Sequence, residues 1–170
     1  MMEEIPNPFR EAAPLAREAP PATLVIFGAS GDLTSRKLIP ALCKLSRERM
    51  LAPGTAIVGV ARRVMTDDAF REVVRAYLAN AFPAGDSADA AQREEFTKGV
   101  FYSAGSFEDE ATYGRLAAKL EEIDRARGTA GNRLFYLATP PSAFPVIVRH
   151  LDAARLVNRA KDGPWTRIII

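Results

Sequence analysis

The sequence predicts an α/β domain with a doubly wound, mostly parallel sheet, and three observations predict it. Short continuous apolar runs such as Leu24-Val25-Ile26-Phe27 read as strands buried on both faces. Between them lie longer segments whose apolar residues recur at helical spacing. The two kinds alternate along the chain, and each parallel connection needs a crossover, which right-handed connectivity lays as a helix over the sheet. With 170 residues, 48% of them hydrophobic, the chain can build one such domain but not two.

Residues 1–22 carry Pro6, Pro8, Pro14, Pro20 and Pro21 without sustained apolar periodicity and read as a mobile arm, leaving 23–170 for the domain. The first strand starts at Thr23 and ends on Gly28. Leu38, Ala41, Leu42 and Leu45 then mark a helix, Pro53-Gly54 stops it, and Ala56-Ile57-Val58-Gly59-Val60 forms the second strand. Thr66 reads as an N-cap with Asp67 and Asp68 in the first turn, ahead of an inner stripe of Phe70, Val73, Val74, Tyr77 and Leu78. Residues 83–92 are small and polar and read as a surface connection running into a short helix near Glu94. Val100-Phe101-Tyr102 is a short strand. Tyr113, Leu116, Leu120 and Ile123 form a helix stripe, and Leu134-Phe135-Tyr136-Leu137 a buried strand. Phe144, Ile147, Val148, Leu151 and Ala154 predict one more helix, and Thr166 to Ile170 one more strand. A chain that stops on a core strand leaves a sheet edge uncovered, which predicts truncation and an apolar face open to self-association.

The 23 Lys and Arg against 21 Asp and Glu leave a net charge of +2, with the two signs interspersed. No field is strong enough to make nucleic acid or an acidic membrane the main partner. Cys43 is the single cysteine, which excludes an intrachain disulfide framework and a cysteine metal cluster; no metal site is expected, and a reducing, cytoplasmic setting fits. No apolar run approaches the roughly 18–20 residues that span a bilayer, and Glu3 and Glu4 stand where a signal peptide would be basic.

The first strand runs straight into Gly28-Ala29-Ser30-Gly31-Asp32-Leu33-Thr34, followed in the helix by Arg36-Lys37-Leu38. At the carboxyl end of the first strand of a doubly wound sheet, glycines let the backbone turn sharply and approach a pyrophosphate, while the helix start supplies N–H donors and positive potential. Asp32 also reads as an acid that stabilises the helix dipole without touching a ligand. The second strand ends Gly59-Val60-Ala61-Arg62-Arg63 with no acid before Asp67. An NAD site places Asp or Glu there for the ribose 2′-hydroxyl, whereas a 2′-phosphate calls for arginine, whose planar fork pairs with phosphate oxygens. NADP is therefore the expected cofactor.

The block from Gly28 to Leu38, the block Ile57-Val58-Gly59-Val60-Ala61-Arg62, and the block Asn132-Arg133-Leu134-Phe135-Tyr136-Leu137-Ala138-Thr139-Pro140-Pro141 resemble, in that order, the N-terminal half of the glucose-6-phosphate dehydrogenase family. The G-A-S-G-D-L loop is much narrower than a general dinucleotide fingerprint. The resemblance implies a Rossmann-like NADP-binding domain in which Gly28, Ala29, Ser30, Gly31, Asp32, Leu33, Thr34 and Ser35 cradle the pyrophosphate. It implies further that Arg62 binds the 2′-phosphate and that Tyr136 with Ala138 lines the cofactor trough. The family reaction, a step of the pentose phosphate pathway, oxidises the C1 hydroxyl of glucose 6-phosphate to a lactone with hydride passing to NADP.

In the family the last strand continues into an E-K-P-F-G segment, a later R-I-D-H-Y segment supplies the histidine base, and an antiparallel-sheet domain holds the sugar phosphate. This sequence has none of them, so the resemblance implies an N-terminal fragment with no catalytic residue of its own, which would meet glucose 6-phosphate only in a full-length enzyme. His150, the only histidine, lies outside the family motifs and reads as structural; Cys43 reads as a small buried hydrophobe. Trp165 anchors either the last loop or an absent domain. Two other readings stay open: an NADP-dependent dehydrogenase of another sugar, and a stand-alone module that binds or senses NADP(H).

Overall fold

Five parallel strands form one sheet in the order β3-β2-β1-β4-β5, in a computed structural model that describes residues 19–82, 87–158 and 162–170. The strands are β1 (Thr23–Phe27), β2 (Ala56–Ala61), β3 (Val100–Ala104), β4 (Arg133–Leu137) and β5 (Thr166–Ile169). The helices are α1 (Ile39–Arg47), α2 (Asp67–Ala81), α3 (Ser87–Lys98), α4 (Glu110–Arg127) and α5 (Phe144–Ala153). This is the doubly wound α/β arrangement that the sequence predicts. Alternate side chains of a strand point to opposite faces, so the run in β1 divides between two cores. Val25 and Phe27 pack with Val58, Val60, Phe135 and Leu137 under Tyr113, Leu116 and Leu120 of α4 and Ile147 and Leu151 of α5. Leu24 and Ile26 pack with Ile57 and Tyr102 under Ile39 and Cys43 of α1 and Phe70, Val74 and Leu78 of α2. Each such side chain, fully buried, contributes about 1.5–3 kcal/mol, which is why the short apolar runs dictate the sheet.

The order of strands sets where a ligand can enter. β1 pairs with β2 on one side and with β4 on the other, so the chain reverses its winding direction at β1. Successive crossovers on opposite faces leave a crevice outside the carboxyl ends of β1 and β4. On the outer edge, β3 is covered by side chains of α2: Asp67 accepts from the Tyr102 amide at 2.7 Å, and Arg71 Nε donates to the Val100 carbonyl at 3.0 Å. Those bonds blunt an otherwise open strand edge.

Local signals set several boundaries. Thr66 Oγ1 accepts from the Ala69 amide at 3.1 Å, the N-cap that the sequence predicts for α2. Cys43 is fully buried on α1, as read. Other expectations change. Residues 1–18 of the arm lie outside the described residues, but its last two are tied to the domain: the Pro21 carbonyl accepts from Asn132 Nδ2 at 3.1 Å and the Ala22 carbonyl from the Ala56 amide at 3.1 Å. The connection read over 83–92 is helical from Ser87 onward, because its alanines favour helix despite the lack of an apolar stripe. Residues 83–86 lie outside the described residues.

In the first helical segment the buried pair is Ile39 and Cys43, while Ala41 is exposed and Leu38 and Leu42 lie at the border. The cause is a π-helical turn over Thr34–Leu38 that changes the phase of the helix. Pro40 has no N–H to donate, and just ahead of it the Ile39 amide reaches back five residues to the Thr34 carbonyl. Val148, read as part of the α5 stripe, is 39% exposed, because Phe144, Ile147 and Leu151 already fill the inward face. Trp165 is joined to β4: its amide donates to Asn132 Oδ1 at 3.1 Å and its carbonyl accepts from the Arg133 amide at 2.9 Å.

Candidate functional site

The loop after β1 is built by Gly28, which adopts φ +87°, a conformation that L side chains rarely take. A Cβ there would stand 2.2 Å from the Ala138 carbonyl oxygen, so the ends of β1 and β4 can meet only over a glycine. The amides of Gly28 and Ala29 both donate to the Val60 carbonyl, at 3.0 and 3.2 Å, and stitch the loop to β2. The Gly28 carbonyl in turn accepts from the Gly31 amide at 2.9 Å and from Thr34 Oγ1 at 3.0 Å. Ala29 is buried, and its methyl lies where a Cβ on Gly59 would be, 2.8 Å away. Gly59 thus lets the loop lie directly on β2, a role that the strand pattern alone does not reveal.

The fold therefore divides the loop residues by task. Gly28, Ala29 and Thr34 hold the turn in shape. Ser30, Asp32 and Leu33 are exposed, and Gly31 and Ser35 are half-exposed. The amides of the exposed residues Ser30, Asp32 and Leu33 make no hydrogen bond among the described residues, so the first turn of the helix presents free donors beside the crevice. The Asp32 carboxylate faces solvent and pairs with Arg36 at 3.6 Å, as expected of an acid at a helix start. Ser35 Oγ donates to the Asp32 carbonyl at 3.1 Å.

Arg62 and Arg63 follow β2 and are both exposed, with no ion pair among the described residues. Their backbone is held from β3: the Tyr102 hydroxyl lies 3.0 Å from the Ala61 carbonyl and 2.5 Å from the Arg63 carbonyl. Across the loop, Tyr136 of β4 stands in register with Ile26 and packs, half-buried, in the core beneath α1. Ala138 supplies the carbonyl that presses on Gly28. Thr139, next along, has a buried hydroxyl without a hydrogen-bond partner, and its Cγ2 lies 3.4 Å from the position of a Gly28 Cβ. The sequence by itself assigns no role at this site to Gly59, Tyr102 or Thr139; a glycine in the middle of an apolar strand is the one local signal among them.

These features fit a dinucleotide. Free helix-start amides suit a pyrophosphate, exposed guanidiniums suit a further phosphate, and an orphaned hydroxyl between the ends of β1 and β4 lacks the partner that buried polar groups usually have. His150 does not join them: on α5 its ring stacks on Tyr113 of α4 at 4.9 Å between centroids. Among the described residues no group of three or more His, Cys, Asp or Glu could hold a metal ion, and no helix is long and apolar enough to cross a membrane. A cleft of about 540 Å³ opens at the opposite end of the sheet, lined by Arg49, Thr55, Phe96, Gly99 and Arg127. There α1, α3 and α4 end, and helix carboxyl ends disfavour phosphates.

The family model described as glucose-6-phosphate dehydrogenase, NAD binding domain, matches residues 25–170. A glucose-6-phosphate 1-dehydrogenase of Chlamydia muridarum (strain MoPn / Nigg) is 40% identical over 99% of this chain and 33% of its own length. One from Chlamydia pneumoniae is 40% identical over 91% of this chain and 30% of its own. Among solved structures, a glucose-6-phosphate dehydrogenase in complex with its substrate glucose-6-phosphate superimposes with a TM-score of 0.72 at 33% identity, over 89% of this chain and 30% of that one. The chain thus spans about a third of the length of the curated relatives it matches.

Proposed function

The chain belongs to the glucose-6-phosphate dehydrogenase family, and from that premise we propose that it is the NADP-binding part of an enzyme that oxidises glucose 6-phosphate at C1 to 6-phosphogluconolactone. The observation that carries the choice of NADP is the end of β2, where two exposed arginines stand and no acid precedes Asp67. An acid at that place would repel a 2′-phosphate, whereas a guanidinium pairs with it.

Ser30, Asp32 and Leu33 would hold the pyrophosphate through backbone amides, while Gly31, whose own amide is bound to the Gly28 carbonyl, would leave room for close approach. Arg62 would bind the 2′-phosphate. Gly28, Ala29, Thr34 and Ser35 would keep the loop in shape, and Tyr136 with Ala138 would form the wall on the β4 side. The Thr139 hydroxyl would gain a partner in the same crevice. Bound NADP would supply the hydride acceptor. The residues of this chain bind and orient; His150, stacked on Tyr113, is not proposed as a base.

Titration calorimetry with NADP and NAD on the wild type and on Arg62→Ala tests the reading. Tighter binding of NADP is expected, with most of the preference lost in the variant, since a charge-assisted pair contributes roughly 1.5–3 kcal/mol. Equal binding of the two dinucleotides by the wild type would refute it.

A further inference from the structure

Arg62 sits between two carbonyls that one buried side chain holds. Tyr102 is 2% exposed, and its hydroxyl, reaching across from β3, shares its single proton between the carbonyls of Ala61 and Arg63. The Ala61 carbonyl has a second donor in the Gly105 amide at 2.9 Å, but Tyr102 is the only donor to the Arg63 carbonyl among the described residues. The ring itself is fixed: it packs on Phe70 of α2 at 4.9 Å between centroids, and the Tyr102 amide is bound by Asp67. Phe70 in turn fills the space over Gly59, where a Cβ would meet its ring at 2.6 Å. Beyond Arg63 the loop has no such support, and Val64 is 86% exposed.

We propose that Tyr102 is a positioning residue that sets cofactor choice: by clamping the backbone on both sides of Arg62, its hydroxyl presents that arginine, already ordered, to a 2′-phosphate. This rests on the NADP reading above. A long, solvated arginine on a loose loop loses rotamer and backbone freedom when it binds, and a fixed backbone removes part of that cost in advance. Because the clamp acts only through Arg62, it strengthens NADP and leaves NAD untouched. Burial pushes the Tyr102 phenol above its ordinary range, so it remains a protonated donor at neutral pH.

Calorimetric titration of NADP and of NAD into the 170-residue chain, for wild type, Tyr102→Phe and Arg62→Ala, separates the outcomes. Tyr102→Phe keeps the ring on Phe70 and removes only the hydroxyl. It should weaken NADP by about threefold to tenfold, the range of a net hydrogen bond, with NAD affinity unchanged. An unchanged NADP-to-NAD ratio in Tyr102→Phe, with the ratio lowered in Arg62→Ala, overturns the proposal alone. Equal losses for both dinucleotides assign Tyr102 a merely structural role and overturn it as well. An unchanged ratio in Arg62→Ala overturns the NADP reading and the proposal with it. Should Tyr102→Phe not fold, Val64→Gly loosens the same loop from its exposed side, and an unchanged ratio there overturns the proposal.

Discussion

Replacing Gly28 by alanine separates what the loop does for the fold from what it does for a ligand. The residue holds φ +87°, and the added Cβ would stand 2.2 Å from the oxygen and 3.0 Å from the carbon of the Ala138 carbonyl, both backbone atoms of the neighbouring strand end. A left-handed conformation costs an L residue roughly 1–2 kcal/mol. Forcing the strand ends apart adds about 1–3 kcal/mol, as overpacking does, and no flexible side chain can relieve it. The sum, about 2–5 kcal/mol, is a large share of the roughly 5–15 kcal/mol that stabilises a domain. Thermal unfolding followed by circular dichroism, without any nucleotide, should show Tm lower by about 4–20 °C at 2–4 °C per kcal/mol. Gly31→Ala is the control: Gly31 is not among the positive-φ glycines, and its Cβ would meet only the Gly28 carbonyl, at 3.1 Å. A Gly28→Ala protein that melts within about 2 °C of the wild type would refute the claim that this glycine joins β1 to β4.

Gly31→Val should abolish NADP binding by crowding the phosphates out of a loop where even a Cβ would meet the Gly28 carbonyl oxygen at 3.1 Å; a variant that stays folded by circular dichroism and still binds NADP in a calorimetric titration would show that the loop faces something else. Asp109 caps α4, and the Ala111 amide first, then Arg115 and Thr112, hold its carboxyl below the usual aspartate range. A carboxylate whose folded pKa is lowered stabilises the fold above its unfolded pKa, about 3.9, and loses that contribution as pH falls through the folded value. Asp109→Ala should thus be less stable at neutral pH and lose less on acidification; urea unfolding between neutral pH and about pH 3 would contradict this if both proteins traced parallel profiles.

Much of the fold was legible because its signals are local. An unbroken apolar run such as Leu24 to Phe27 must be buried on both faces, and a threonine followed by two acids satisfies helix-start amides wherever the helix lies. The places of the loop from Gly28 to Ser35 and of the pair Arg62-Arg63 were legible for a similar reason: both lie at the carboxyl ends of strands, which the order of elements dictates. What the sequence did not disclose depends on residues far apart in the chain. The strain falls on Gly28 rather than Gly31 because Ala138 presses on it from β4, more than a hundred residues later. The buried face of α1 shifts because one π-helical turn ahead of Pro40 changes the helical phase, so counting by 3.6 residues selects Ala41, which is exposed. Tyr102 reads as one apolar residue of a short strand, and only the pairing of β3 with β2 brings its hydroxyl under the carbonyls of Ala61 and Arg63. Patterning decides which residues are buried, since burial depends on the side chain's own free energy of transfer; which buried hydroxyl meets which carbonyl is decided by strand order and register, which exist only once the sheet has formed.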